Sequence, residues 1–351
     1  MYWTEIDAGL LNKFRDGLAI PAHPLALDSA RNFDPIRQRA LSRYYIDAGS
    51  GGLAVGVHTT QFAIREAGLY QPVLEIAAQT AAEWSNRPLF LIAGVVGRTN
   101  QAISEAITAR ALGYQAVLLS LAALGSSRED ELITHCQAVA DVMPVVGFYL
   151  QKSVGGRYLS RNFWKKFSQI ENVICIKMAP FNRYYTLDVI RGVVEAFAED
   201  RVTLYTGNDD HIVLDLVSRH RILREGVPID MKISGGLLGH WSVWTKRAVE
   251  ALEVCKNARV SGHLTEEILR LDSAVTDCNS AIFDVQNDFQ GVIAGCHEVL
   301  MRQGLLEGRW CLDPKETLGP GQTEEIDRIY DEYPDLNDDA FVTENLSRWL
   351  A

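Results

Sequence analysis

Lys177 stands in the run VICIKMAP, residues 173–180, with apolar neighbours on both sides. Strand side chains alternate between faces, so Val173, Cys175 and Lys177 are read on one face and Ile174, Ile176 and Met178 on the other. A run that is apolar on both faces marks a strand buried on both sides. An ammonium group there loses hydration, its pKa falls, and a neutral amine is left as a nucleophile. Schiff-base chemistry with a carbonyl substrate uses such an amine, shielded from water and aimed into a pocket. The residues alone leave a second reading open, a lysine at a strand end that reaches solvent or pairs with a buried carboxylate.

Composition narrows the rest. A 351-residue chain that is 47% hydrophobic has enough apolar material for one large core. The net charge of −11 argues against binding of nucleic acid or an anionic membrane, since either needs a basic face. Much of that charge lies after Cys311, where Lys315, Arg328 and Arg348 are the only bases. Six widely spaced cysteines without a CxxC fit buried free thiols in a reducing, cytoplasmic setting better than a disulfide framework or a zinc site. The start of the chain has no basic segment leading into an apolar one, so no signal peptide is read, and no apolar segment approaches the roughly 20 residues of a membrane span.

The elements that must position the lysine follow from eight short apolar runs, at 17–27, 51–58, 89–97, 115–121, 144–151, 173–180, 202–209 and 231–239. Amphipathic segments with helix signals lie between them. Asp34 and Pro35 predict a helix start, as do Thr99, Ser127 and Ser160, and Gly49 and Gly113 predict stops. Eight alternating units with no GxGxxG after the first strand predict a closed α/β barrel, the (β/α)8 TIM barrel, over residues 1–258. In such a barrel the chemistry sits at the carboxyl ends of the strands, where Lys177 falls near the end of strand six. Two further amphipathic helices are expected over 259–305. Residues 306–351 are expected to form an acidic arm that packs on the barrel or on a neighbouring subunit.

This arrangement resembles the dihydrodipicolinate synthase and N-acetylneuraminate lyase family of class I aldolases over about residues 15–305. Lys177 in ICIKMAP matches the family's Schiff-base lysine and Tyr149 in VVGFYLQ its strand-five tyrosine. TGNDD (206–210) resembles the Gly-Asp-Asp stretch after strand seven, and SGGLLG (234–239) the glycine-rich strand eight. The resemblance implies that Lys177 attacks the ketone of pyruvate or another 2-oxo acid, while Tyr149 moves protons. It implies that His58 and Thr59 in GVHTTQF, with Gly207, Asn208 and Gly235, bind the substrate. It also implies a homo-oligomer, dimer or tetramer, that needs no cofactor and no metal. Ser120, Leu121, Ala122 and Ala123 stand where synthases carry a Pro-Tyr-Tyr stretch, which argues against dihydrodipicolinate synthase itself.

The resulting expectation is a Schiff-base lyase, an aldolase or dehydratase. Two other classes stay open: a barrel that binds a metabolite without catalysis, and a metal-assisted barrel hydrolase drawing on His23, His58, Asp209, Asp210, His211 or His240.

Overall fold

In the computed structural model, which describes residues 1–351, each apolar run yields a strand. The ten strands are β1 (Ala19–Pro21), β2 (Gly52–Val55), β3 (Phe90–Val95), β4 (Ala116–Leu119), β5 (Val145–Leu150), β6 (Val173–Ala179), β7 (Thr203–Thr206), β8 (Arg219–Arg224), β9 (Val227–Lys232) and β10 (Gly235–Leu238). Eight of them form one parallel sheet in the order β1-β10-β7-β6-β5-β4-β3-β2. Its ends meet: Gly51 N–H donates to Ala19 O at 2.9 Å and His23 N–H to Ala54 O at 2.8 Å. The ring is a TIM barrel, and closure leaves no strand edge unpaired.

The thirteen helices are α1 (Ala8–Asp16), α2 (Pro35–Asp47), α3 (Tyr70–Trp84), α4 (Thr99–Ala111), α5 (Glu129–Ala140), α6 (Arg161–Gln169), α7 (Arg183–Glu195), α8 (Ile212–Val217), α9 (Thr245–Ser261), α10 (Glu266–Ile282), α11 (Val292–Arg302), α12 (Gln322–Glu332) and α13 (Asp339–Leu350). Helices α2 to α9 follow the eight barrel strands in turn. Asp34 caps α2, accepting from Ile36 and Arg37 N–H at 3.0 Å each, and Ser160 caps α6. Two starts differ from expectation. Thr99 is the first residue of α4, after Arg98 as its cap, and α5 begins two residues beyond Ser127, where Glu131 accepts from the Arg128 N–H.

Helix α1 is not announced by the apolar runs. It closes the amino end of the barrel, with Phe14 fully buried and stacked on Phe90 at 4.2 Å and on Tyr205 at 4.8 Å. The other departure is the antiparallel hairpin β8–β9, inserted after the short α8. Its turn has positive φ at Glu225 and Gly226, the backbone a tight hairpin needs. The last apolar run is therefore split: Met231 belongs to the hairpin and the barrel strand starts at Gly235.

A β-bulge corrects the expected faces of β6. The register with β5 shifts so that Val146 pairs with Cys175, and Ile174 is left over. Val173 packs with Ile176 and Met178 in the layer between strands and helices, whereas Ile174 joins Cys175 in the barrel interior. Lys177 keeps the inward face.

Helices α10 and α11 are joined by an elbow at residues 283–291, with Asp284, Asp288 and Phe289 all in the left-handed region. The acidic arm packs on the barrel of its own chain. Trp349 is buried against Tyr44 and donates from Nε1 to Asp47 at 2.7 Å, and the Tyr44 hydroxyl donates to Asp338 at 2.8 Å. Two contacts carry the arm to the top of the barrel: Leu312 N–H donates to Gln61 Oε1 at 2.6 Å, and Gln322 Nε2 lies 3.0 Å from Ile282 O and 3.2 Å from Gly291 O. All six cysteines are buried and free, and no helix is long and apolar enough to cross a membrane.

Candidate active site

Strand β6 carries Lys177 to the carboxyl end of the barrel, where it is 8% exposed and lines a cavity. The cavity floor is made by Lys177, Gly207 and Asp209 from β6 and the loop after β7, with His58 and Thr59 from the loop after β2. Its walls are Phe148 from β5, Phe181 from the loop after β6, and Phe283, Phe289, Val292, Ile293 and Cys296 from α10 and α11 with their elbow. The helices after the barrel thus roof the site.

Electrostatics follows from burial. Desolvation pushes the Lys177 ammonium down to about 8, against the Asp209 carboxylate, which favours the charged form. Desolvation likewise pushes Asp209 up to about 7, opposed by Lys177 and reinforced by Asp210. Asp209 Oδ1 is buried without a hydrogen-bond partner, and the Asp209 backbone is held by Asn279 of α10, whose Nδ2 donates to its carbonyl at 2.7 Å. Burial, and then the charge on Lys177, push the His58 imidazole down to about 4, so it is neutral at pH 7. The Lys177 Nζ lies 4.4 Å from the centroid of the Phe148 ring.

Gly207 has a steric reason to be glycine: a Cβ there would sit 2.6 Å from Lys177 Cε. The neighbouring loop is braced from behind. Asp215 accepts from Thr206 Oγ1 at 2.7 Å and from Asn208 Nδ2 at 2.9 Å, while Asn208 Oδ1 accepts from Phe181 N–H at 3.2 Å. That last bond holds Phe181 at φ 49, a left-handed conformation that costs a bulky residue roughly 1–3 kcal/mol, and keeps its ring on the cavity.

Of the residues singled out from sequence, Lys177, His58, Thr59 and Gly207 converge on the cavity, and three do not. Tyr149 pairs in register with Met178, on the outer face of the barrel, and is packed on Trp164 at 5.0 Å. Its hydroxyl is engaged by the Leu159 backbone, while Phe148, in register with Lys177, takes the inward place. Asn208 is spent on bracing the loop. Gly235 lies where β10 approaches β1, since a Cβ would come within 2.6 Å of the Leu18 backbone, and Gly239 lines the cavity instead.

The sequence offers Asp209 only as a candidate metal ligand, not as the partner of Lys177, and does not single out Phe148 or the roof residues for the site. The signal for Asp209 was present: an acid two residues beyond the glycine that follows a barrel strand, which also reads as an ordinary helix-start acid. No group of three or more His, Cys, Asp or Glu side chains is arranged to hold a metal ion. His23, one of the residues considered for such a site, is buried with its ring bonded to Ser42 and Pro24.

A parallel eight-stranded barrel with its cavity at the carboxyl ends of the strands and further helices over it defines a TIM-barrel protein. The chain belongs to the dihydrodipicolinate synthetase family, whose sequence model matches residues 18–219. The match stops where the β8–β9 hairpin begins. Among solved structures, CdNal from Clostridium difficile, in complex with mannosamine, is 18% identical with a TM-score of 0.72, over 90% of this chain and 99% of that one. N-acetylneuraminate lyase from Fusobacterium nucleatum is 17% identical with a TM-score of 0.69, over 90% and 98%. Dihydrodipicolinate synthase from Oceanobacillus iheyensis is 13% identical with a TM-score of 0.72, over 93% and 99%. At these identities the likeness is one of fold. No curated protein sequence matches the chain. Membership of the family supports a Schiff-base lyase of the aldolase type.

Proposed function

We propose that the protein forms a Schiff base between Lys177 and a 2-oxo acid such as pyruvate, and uses it to make or break a carbon–carbon or carbon–oxygen bond. The observation that carries this reading is the inward-facing, desolvated Lys177 beside the unpartnered Asp209 carboxylate. A lysine at about 8 leaves roughly one amine in ten neutral at pH 7, against about one in three thousand at its ordinary 10.5. Attack on the ketone gives a carbinolamine, and loss of water gives the iminium, an electron sink for chemistry at C3.

The proton work falls to Asp209. Near pH 7 it is present both as acid and as carboxylate, so it can protonate the departing hydroxyl and then take a proton from C3. The Thr59 hydroxyl and the neutral His58 ring supply donors for the substrate carboxylate. The Fusobacterium nucleatum lyase crystallised with pyruvate supports pyruvate as the first acid to try. Residues 122–124 after β4 form a short turn of Ala-Ala-Leu, with no aromatic hydroxyl to relay a proton, which favours a reaction other than dihydrodipicolinate synthesis.

Intact mass after incubation with pyruvate and borohydride tests the reading. A reduced adduct on the native protein and none on Lys177→Ala is the expected outcome. No adduct with pyruvate or with a panel of other 2-oxo acids would overturn it.

A further inference from the structure

We propose that the carbonyl compound meeting the Lys177 adduct carries an apolar tail, an aryl or branched alkyl group, seated against Phe148, Phe181, Phe283, Phe289, Val292 and Ile293. This names the second substrate of the reaction proposed above and rests on that reading for its chemistry.

The cavity is divided by polarity. Lys177, Asp209, His58 and Thr59 occupy the floor, and the walls and roof are hydrocarbon apart from Gln151 and the weakly polar Cys296 thiol. Lys177 is the one cationic side chain in the lining, and the iminium uses it. A second carboxylate on the incoming aldehyde would be buried near Asp209 with no positive partner. A polyhydroxylated tail would lose water from each hydroxyl and find Gln151 alone in return, at a cost of roughly fivefold in affinity or more per unpaired group. An aryl or branched alkyl tail has neither problem and gains from every wall it touches.

The walls are also built in advance. Phe181 is pinned by Asn208 and packs edge-on against Phe289 at 5.6 Å, and Phe148 lies flanking the lysine. A site whose aromatic faces are already fixed loses little freedom when a ring enters.

The chemistry closes with the groups present. Asp209 takes a proton from C3 of the iminium, giving the enamine. The enamine carbon attacks the aldehyde carbon, its electron pair forms the new bond, and the aldehyde oxygen takes the proton back from Asp209. Water then adds to the regenerated iminium and releases the 4-hydroxy-2-oxo acid and the free amine. Cleavage is the same sequence reversed.

The test uses the native protein in two arms. In the first, binding of benzyl alcohol, glycerol and 4-hydroxybutyrate is compared by ligand-detected NMR; these alcohols stand in for an aryl, a polyhydroxylated and a carboxylated aldehyde and form no imine. In the second, pyruvate is supplied with benzaldehyde, glyceraldehyde or succinic semialdehyde, and product formation and the borohydride-trapped adduct are followed. The expected result is a preference of at least tenfold for the aryl compound in both arms. Preference for either polar compound, with the pyruvate adduct still trapped, overturns the apolar tail and leaves the Schiff base standing. Aryl preference in binding with no adduct supports the apolar site and sinks the Schiff-base reading. Equal or absent binding of all three alcohols overturns the proposal outright.

Discussion

Replacing Asp209 with Asn separates two properties that a single catalytic score would merge. The amide keeps the shape of the side chain and removes its charge. In the native protein the carboxylate opposes burial and holds Lys177 at about 8. Without it, burial acts alone and the lysine titrates at lower pH. The neutral fraction at pH 7, roughly one in ten in the native protein, can then rise by at most about tenfold. The amine of the variant is therefore more reactive, by up to that factor. Proton transfer goes the other way, since an amide neither gives nor takes the proton, and loss of a positioned acid–base group costs roughly 10² to 10⁴ in rate. The first quantity is read from the rate of Lys177 acetylation by acetic anhydride, followed by peptide mass as a function of pH. The second is read from exchange of the pyruvate methyl protons with deuterium, followed by NMR, which needs no aldehyde. The expected pattern is an acetylation profile displaced to lower pH together with exchange slowed at least a hundredfold. An unmoved or upward-moving profile, or exchange at the native rate, would refute the pairing of Asp209 with Lys177.

Gly207→Ala places a methyl group 2.6 Å from Lys177 Cε, so the lysine must shift; adduct formation should fall by about a hundredfold while circular dichroism stays native, and unchanged trapping would count against this packing. Tyr149→Phe removes a hydroxyl that meets only the Leu159 backbone, at 3.3 and 3.4 Å, and should cost about 1 kcal/mol or less in denaturant stability with the pyruvate adduct unaffected; loss of the adduct would return Tyr149 to the site. His23 is fully buried, and desolvation pushes it down to about 4 from an ordinary 6.5, so its contribution to stability is whole above pH 6.5 and is lost as the pH falls through 4. The stability difference between the native protein and His23→Gln should accordingly shrink by up to about 3 kcal/mol over that window, measured by urea denaturation, and a constant difference would contradict a neutral buried ring.

The barrel is legible because strands buried on both faces leave unbroken apolar runs, and Lys177 is legible because it interrupts one. The same property hides the phase of a strand. Phe148 and Tyr149 are adjacent aromatics, both faces of β5 accept either, and only the register with β6 decides which one points inward. The leftover Ile174 reversed the faces of the first part of β6 for the same reason: an extra residue in an all-apolar strand leaves no mark. The hairpin escaped because its Glu225-Gly226 turn is not one of the strong dipeptide signals, and its second strand runs on into the next apolar stretch. The roof was legible as helices but not as part of the site, since spacing along α10 and α11 says which face is apolar and not what that face covers. Asn208 and Gly235 belonged to recognisable stretches, yet their work is bracing and close packing.

The two contacts from the arm, Leu312 to Gln61 and Gln322 to the elbow of α10 and α11, set a time order for the chemistry. Synthesis delivers the amino-terminal part first, so all ten strands, with Lys177 and Asp209 among them, leave the ribosome before Phe283, Phe289 and the residues that clamp them. A barrel at that stage has its lysine under open water, where the ammonium keeps its hydration and its charge. Arrival of the roof closes the cavity over Lys177, and burial favours the neutral amine. On the function proposed above, the growing chain thus carries Lys177 in its charged, unreactive form until the residues that clamp the roof, Leu312 and Gln322, have been made.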